Sequence, residues 1–343
     1  MKATIYHGVG NISLEEIAKP TPGERDVLIK NIRSGICGTD VHAYLVEGES
    51  VGINPENQFG HEMVGVVEEV GAQVEGIVPG MRVFVNPTKV KPEGKGLSPN
   101  EIADMAGAFS EYIVVEEAAL DYNLFLLPDD LSFDKAVITE PFSVAMHGVN
   151  LAHPKPGERA LVYGGGVIGL CTLVALKSKG VEEVIVSDIK ENRLAMIKEL
   201  GGIPFDARTG NVIDFVKEKY GTLVGNMGEE TIDVDLVIDA AGYNGVMEEF
   251  LANAKTLSRY VIVALNASNV PIVPLYVLAK ELTILGSRGY TAQDIKEVIE
   301  SLRSQENHLD KIITDVYPIE KVQEAFNKAI DAENTIKVVL AYE

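Results

Sequence analysis

The sequence predicts an α/β protein of two differently built domains, a mostly β half followed by a half in which strands and helices alternate. Three observations carry this reading. The chain has 343 residues, more than one core usually serves, since single domains commonly hold roughly 100 to 200. Up to about residue 150 it runs in short alternating segments broken by Gly and Pro, such as DVLIKNIRSGI, MVGVVEEVG, MRVFV and EYIVV, which read as small strands. After Pro154 and Pro156 come apolar runs separated by helical stretches: ALVYG, VIGLCTLVALKSKG, EVIVSD, NRLAMIKELGG, VDLVIDAAG and RYVIVALN. Strand and helix repeated in that order imply βαβ units and a parallel sheet.

Beyond Gly286 the elements continue as a helix (DIKEVIESLRS), a strand (KIITDVY), a second helix (KVQEAFNKAI) and a last strand (IKVVLAY), a tail that by pattern alone extends either domain. The stretch 86–108, rich in Lys, Pro and Gly, reads as a surface loop. With 46% hydrophobic and 24% charged residues the composition is that of a globular protein. The 51 acidic against 30 basic residues leave a formal charge of −21. Such a surface repels phosphate backbones and anionic lipid, which argues against nucleic acid and membrane partners. Cys37 and Cys171 are the only cysteines, too few for a secreted disulfide scaffold, so a reducing cytoplasm is expected. The N-terminal MKATIYHGVG lacks an apolar stretch behind a basic start, and no run approaches a membrane span, so neither export nor insertion is expected.

In ALVYGGGVIGL, Gly164, Gly166 and Gly169 follow an apolar strand and open a helix, the G-x-G-x-x-G arrangement of a dinucleotide-binding turn. The first glycine allows the tight turn, the second the approach of a pyrophosphate, the third the packing of helix on strand. Val167 and Ile168 lie on that turn, where free N–H groups receive negative charge. The next strand ends in Asp188, placed to accept hydrogen bonds from both adenosine ribose hydroxyls. An acid there repels a 2′-phosphate and favours NAD over NADP. Lys190 and Arg193 temper that preference, and Arg193 either lies along the adenosine or is merely solvated.

GICGTDVH presents Cys37, Thr39 and His42, and QFGHEMVG presents His61 beside Glu62. Thiolate, imidazole and carboxylate with one position left open describe a catalytic zinc rather than a closed structural one. Singly, each has a bland account: a buried thiol, a satisfied core histidine, a solvated acid.

Taken together, GICGTDVH, GHEMVGVVEEVG, VITEPFSVAMHG and VYGGGVIGL with Asp188 resemble, in order and separation, the zinc-containing medium-chain dehydrogenase/reductase family, most closely its sorbitol, butanediol and threonine dehydrogenase branch. The resemblance covers essentially the whole chain. It implies a GroES-like β domain at 1–150, a Rossmann domain with a doubly wound parallel sheet at 151–287, a tail 288–343 returning to the first domain, and an active site in the interdomain cleft. It implies that Cys37 and His61 bind zinc, and it leaves open whether Glu62 or Glu140 does so directly, alternately or through water. Thr39 and His42 match the proton relay that a buried alcohol needs when zinc lowers its pKa. Gly286 and Ser287 align with residues near the nicotinamide, and Arg288, from its place in the sequence beside them, is expected to meet a polar or anionic substrate group. His147 reads as structural.

Many members of the family hold a second zinc on four cysteines where 86–108 lies here, and this stretch has none, so one catalytic zinc and no structural zinc are expected. The implied function is hydride transfer between a secondary alcohol, as in a polyol, sugar alcohol or vicinal diol, and NAD, in a homodimer or homotetramer. The alternatives are an L-threonine dehydrogenase-like activity, a zinc-free NADPH reductase of the same superfamily, and a catalytically silent nucleotide-binding protein.

Overall fold

The computed structural model describes residues 1–87, 107–304 and 308–343. The surface loop expected at 86–108 falls almost wholly outside them. Contacts divide the chain into two units, one made of Met1–Glu140 with Thr291–Glu343, the other of Pro141–Tyr290. The helix Thr139–Leu151 runs across the first of these divisions.

The first unit holds a seven-stranded sheet in the order Ile313–Pro318, Lys337–Ala341, Val27–Gly35, Glu62–Val70, Arg82–Val85 and Leu124–Leu126, with Tyr112–Val115 also paired to Val27–Gly35. Of the two strands from the C-terminal tail, Lys337–Ala341 pairs with Val27–Gly35 from the N-terminal half, and Ile313–Pro318 pairs with Lys337–Ala341. In register, Gly35 faces Glu62 on one side and Val339 on the other. A smaller sheet joins Lys2–Gly8 to Asn11–Glu16 and Asn57–Gln58. Between them Tyr6, Phe59, Phe109 and Phe326 form an aromatic cluster, with Phe109 edge-on to both Phe59 (4.9 Å) and Phe326 (5.7 Å). Such pairings add to the gain from burial alone. Phe326 sits on the tail helix Val322–Ile330, so the same cluster secures the tail in this unit.

The second unit carries six parallel strands. Numbered by their order along the chain as Arg159–Tyr163, Glu183–Asp188, Ile203–Asp206, Leu236–Asp239, Arg259–Ile262 and Thr283–Gly286, they lie 3-2-1-4-5-6 in space. That is the strand order of the dinucleotide-binding Rossmann sheet, with the crevice opposite the carboxyl ends of its first and fourth strands. The helix Val167–Ser178 is buried on nearly all sides, from Gly169 to Leu176, as its unbroken apolar sequence requires. The pair Thr222–Val224 and Glu230–Ile232 forms a separate antiparallel ribbon. Among the described residues no helix is long and apolar enough to cross a membrane.

Candidate metal centre and cofactor turn

Local packing delivers the candidate metal-ligating side chains. Cys37 ends the link after Val27–Gly35 and is the N-cap of the helix Gly38–Leu45. Its N–H donates to Asp40 Oδ2 at 2.8 Å, which closes the first turn with a carboxylate where helix geometry favours one. His61 and Glu62 follow Phe59 and Gly60. Phe59 is anchored in the aromatic cluster, and the backbone hydrogen bonds of Phe109 to Phe59 (3.0 Å) and of Ala108 to Gly60 (3.0 Å) fix the approach. Gly60 has φ +87, and a Cβ there would stand 2.8 Å from the Phe109 ring, so only glycine serves at this bend.

The result is that one donor atom each from Cys37, His61 and Glu62 lies within 4.8 Å of the others, and no other such group of three occurs among the described residues. His61 and Glu62 are buried, and Cys37 is half-buried. His61 Nδ1 and Glu62 Oε1 have no hydrogen-bond partner. Buried polar atoms without partners are costly and uncommon, and this donor set matches an open zinc site. The residues present therefore fit the ion.

The electrostatics agree. Burial opposes protonation of His61, yet the charges of Cys37, Asp40 and Glu140 outweigh it and push its pKa well above the ordinary histidine value. The pocket is thus strongly anionic and favours a cation. Asp40, wholly buried, is pushed up to about 6, chiefly by desolvation. Its Oδ1 lacks a hydrogen-bond partner and lies 3.9 Å from His61 Nδ1, so it acts on the imidazole through charge and not through a hydrogen bond. Lys337 reaches the same place from the C-terminal strand, paired with Glu62 Oε2 and donating to Ile36 O at 2.9 Å.

Asp40 and Lys337 were missed by motif reading. Asp40 was detectable, since it stands three residues after an N-cap, as in a capping box. Lys337, inside an apolar strand, gave no signal. Glu140, the remaining candidate ligand, lies outside the group of three. It is buried in the first turn of Thr139–Leu151, with polar partners of its own, and its charge still reaches His61 and Lys337. Thr39 and His42 lie one turn apart on the helix that begins at Cys37, and the buried Thr39 Oγ1 has no hydrogen-bond partner.

In the second unit the glycine turn has the expected form. Gly164 takes φ +92. A Cβ on Gly169 would meet Gly164 O at 1.7 Å, so that glycine is what lets helix and strand close. Gly166 is the N-cap of the helix that Val167 and Ile168 begin. Asp188 accepts from Ile189 N (2.7 Å) and Lys190 N (2.9 Å) through Oδ1 and from Gly165 N (2.6 Å) through Oδ2. Its carboxylate is therefore locked against the turn. Arg193 Nη1 stands 3.5 Å from Asp188 Oδ2 and beside Gly166, so the arginine faces this turn instead of open solvent. Gly286 ends the edge strand, and the Ser287 N–H donates to Ile262 O at 2.9 Å while its buried Oγ has no partner. Arg288 is exposed.

Residues 23–128 match the alcohol dehydrogenase GroES-like domain, and residues 167–304 match the zinc-binding dehydrogenase family. The chain is 30% identical to the sorbitol dehydrogenase of Bacillus subtilis (strain 168), over 100% of its own length and 97% of that protein. Among solved structures it is similar to 2R,3R-butanediol dehydrogenase from Bacillus subtilis, with a TM-score of 0.85, 28% identity and 99% of each chain covered. It is also similar to a protein from Sinorhizobium meliloti 1021 solved with NADP, with a TM-score of 0.86 and 27% identity over 99% of this chain and 98% of that one. With a zinc-type donor set in a GroES-like domain and a nucleotide turn in a Rossmann domain, the chain belongs to the zinc-containing medium-chain dehydrogenase/reductase family, in the branch of the sorbitol and butanediol dehydrogenases, and is a zinc-dependent alcohol dehydrogenase in the broad sense.

Proposed function

We propose that the chain oxidises a secondary alcohol carbon of a polyol, sugar alcohol or vicinal diol with NAD, using a single zinc ion held by Cys37, His61 and Glu62. The observation that carries this is the convergence of thiolate, imidazole and carboxylate within 4.8 Å. Zinc, when bound there, supplies Lewis-acid chemistry that lowers the pKa of the alcohol hydroxyl. The chain's own side chains do the rest. Asp40 closes the helix turn at Cys37 and adds negative charge beside His61. Thr39 Oγ1, with no partner of its own, takes the hydroxyl proton of the substrate and releases its own toward the His42 imidazole, which passes it outward. Replacing Thr39 by valine, nearly the same shape without the hydroxyl, is expected to lower kcat about 10²- to 10⁴-fold, the usual range for loss of a proton-transfer group. Serine at this position retains most of the activity, and steady-state kinetics with zinc content measured in parallel checks both variants.

The locked carboxylate of Asp188 supports NAD as the preferred cofactor, since a ribose 2′-phosphate would bring charge against charge. Gly164, Gly166, Val167, Ile168 and Gly169 cradle the pyrophosphate, Arg193 lies along the adenosine, and Gly286 and Ser287 lie near the nicotinamide. The two distant cysteines suit a reducing cytoplasm. Assembly as a homodimer or homotetramer is supported by the second unit, which has the edge strand Thr283–Gly286 and exposes apolar residues such as Leu278 (75% exposed) and Leu265 (85%). The test is NAD reduction over a panel of sugar alcohols, 2,3-butanediol and L-threonine, with and without a chelator. Activity confined to polyols or diols and abolished by the chelator is the expected result. Full activity after metal removal would overturn the proposal in favour of a zinc-free reductase. Inertness toward every alcohol with zinc and NAD both bound would make the chain a silent binding protein.

A further inference from the structure

The side chains of Glu62 and Lys337 are only 1% and 2% exposed, and they meet over Gly35, which lies between their strands in the sheet. A Cβ on Gly35 would stand 2.0 Å from Glu62 Oε2 and 2.8 Å from Lys337 Cε, so the missing side chain is what admits the pair. A buried ion pair seldom repays its desolvation as well as an apolar pair of the same volume would. Stability is therefore a poor account of this one. Lys337 forms its ion pair through Oε2, both carboxylate oxygens are buried without a hydrogen-bond partner, and one of them belongs to the group with Cys37 and His61.

We propose that Lys337 is a positioning residue that holds Glu62 to one-oxygen ligation of the metal, so that a coordination place stays open for substrate. This rests on the reading of Cys37, His61 and Glu62 as a zinc site. The ammonium is fixed in turn by Ile36 O at 2.9 Å, on the link that leads to Cys37. Without the cation, Oε2 would be left buried and unpaired with the ion as its nearest positive partner, and the carboxylate would close on it with both oxygens. The C-terminal tail thereby has a task at the metal that no ligand motif reveals.

The test compares wild type with Lys337→Met, Lys337→Arg, Glu62→Gln and the Glu62→Gln/Lys337→Met double variant. Three quantities are read: zinc per chain, the rate of zinc loss to a chromophoric chelator, and the visible absorption of the cobalt-substituted protein. Lys337→Met is expected to hold zinc more tightly, with release slowed about 10- to 100-fold, the scale on which outer-shell partners act on metal affinity. Its cobalt bands are expected to weaken as the coordination number rises, and kcat to fall. Lys337→Arg keeps the wild-type spectrum. Because Lys337 acts through Glu62, adding Lys337→Met to Glu62→Gln is expected to change zinc release less than twofold, which keeps the test decisive should the single variant fail to fold. Zinc release from Lys337→Met at the wild-type rate or faster, or a further change in the double variant, would overturn this inference alone. Absence of zinc from the wild type would overturn the metal site itself.

Discussion

Replacing Cys37 by serine is expected to strip the protein of zinc and to lower kcat/KM by about three orders of magnitude while leaving the fold intact. The size follows from the chemistry the ion supplies. Polarising a reacting oxygen contributes several kcal/mol of transition-state stabilisation, and about 4 kcal/mol is a factor of about 10³ in rate. A serine hydroxyl keeps its proton at neutral pH and is a poor zinc ligand, so the site is left with two protein donors where an open zinc site uses three. The fold survives because Cys37 is the N-cap of Gly38–Leu45 and serine is among the preferred residues there. Its N–H still donates to Asp40. Zinc analysis, kinetics and a thermal melt on the same preparation check the three parts together. If Cys37→Ser kept stoichiometric zinc and activity within tenfold of wild type, these three residues would not be the catalytic metal site.

How much of this was legible in the sequence depended on whether the information was contiguous. The nucleotide turn was: strand, glycines, helix, strand and acid follow one another between Arg159 and Asp188, and each glycine has a steric task that local chain geometry dictates. The strands Val27–Gly35, Glu62–Val70 and Arg82–Val85 could likewise be read from alternation. The metal centre was legible only in part. Residue types named Cys37, His61, Glu62 and Glu140 as candidates, but which of the two acids converges on the thiolate is decided by sheet register, which sets Glu62 opposite Gly35. Pattern alone does not supply that.

Lys337 was invisible for a related reason. It contacts Ile36, 301 residues away in sequence, and a lone lysine in an apolar strand reads as a solvent-facing position until the neighbouring strands are known. The tail shows the same limit. Its helices and strands were predictable, but by pattern they could join either domain, and only the burial of Phe326 against Phe59 and Phe109 ties them to the first unit. The ribbon Thr222–Val224 with Glu230–Ile232 gave little signal, since its first strand is exposed throughout and carries no buried alternation.

At Asp188 the expected result is a change in cofactor binding with chemistry preserved. A carboxylate offers about four acceptor sites, and three are already taken by the N–H groups of Gly165, Ile189 and Lys190. One strong charged bond to a ribose hydroxyl therefore remains, worth about 1.5–3 kcal/mol, with Arg193 at 3.5 Å yielding its place. Asp188→Asn removes the charge and turns an amide N–H₂ group toward the Gly165 N–H or the ribose, so one of the two contacts is lost. The KM for NAD should rise about 10- to 100-fold while kcat at saturating NAD changes less than about threefold, because the nicotinamide end and the metal are untouched. Activity with NADP should change little or improve, since the repulsion of the 2′-phosphate is gone and Lys190 and Arg193 remain beside it. Kinetics with both cofactors at fixed saturating alcohol read out the ratio directly. An unchanged NAD to NADP preference in Asp188→Asn would mean that the discriminating contact lies elsewhere on the turn, and that the acid serves only to hold Gly165 in place.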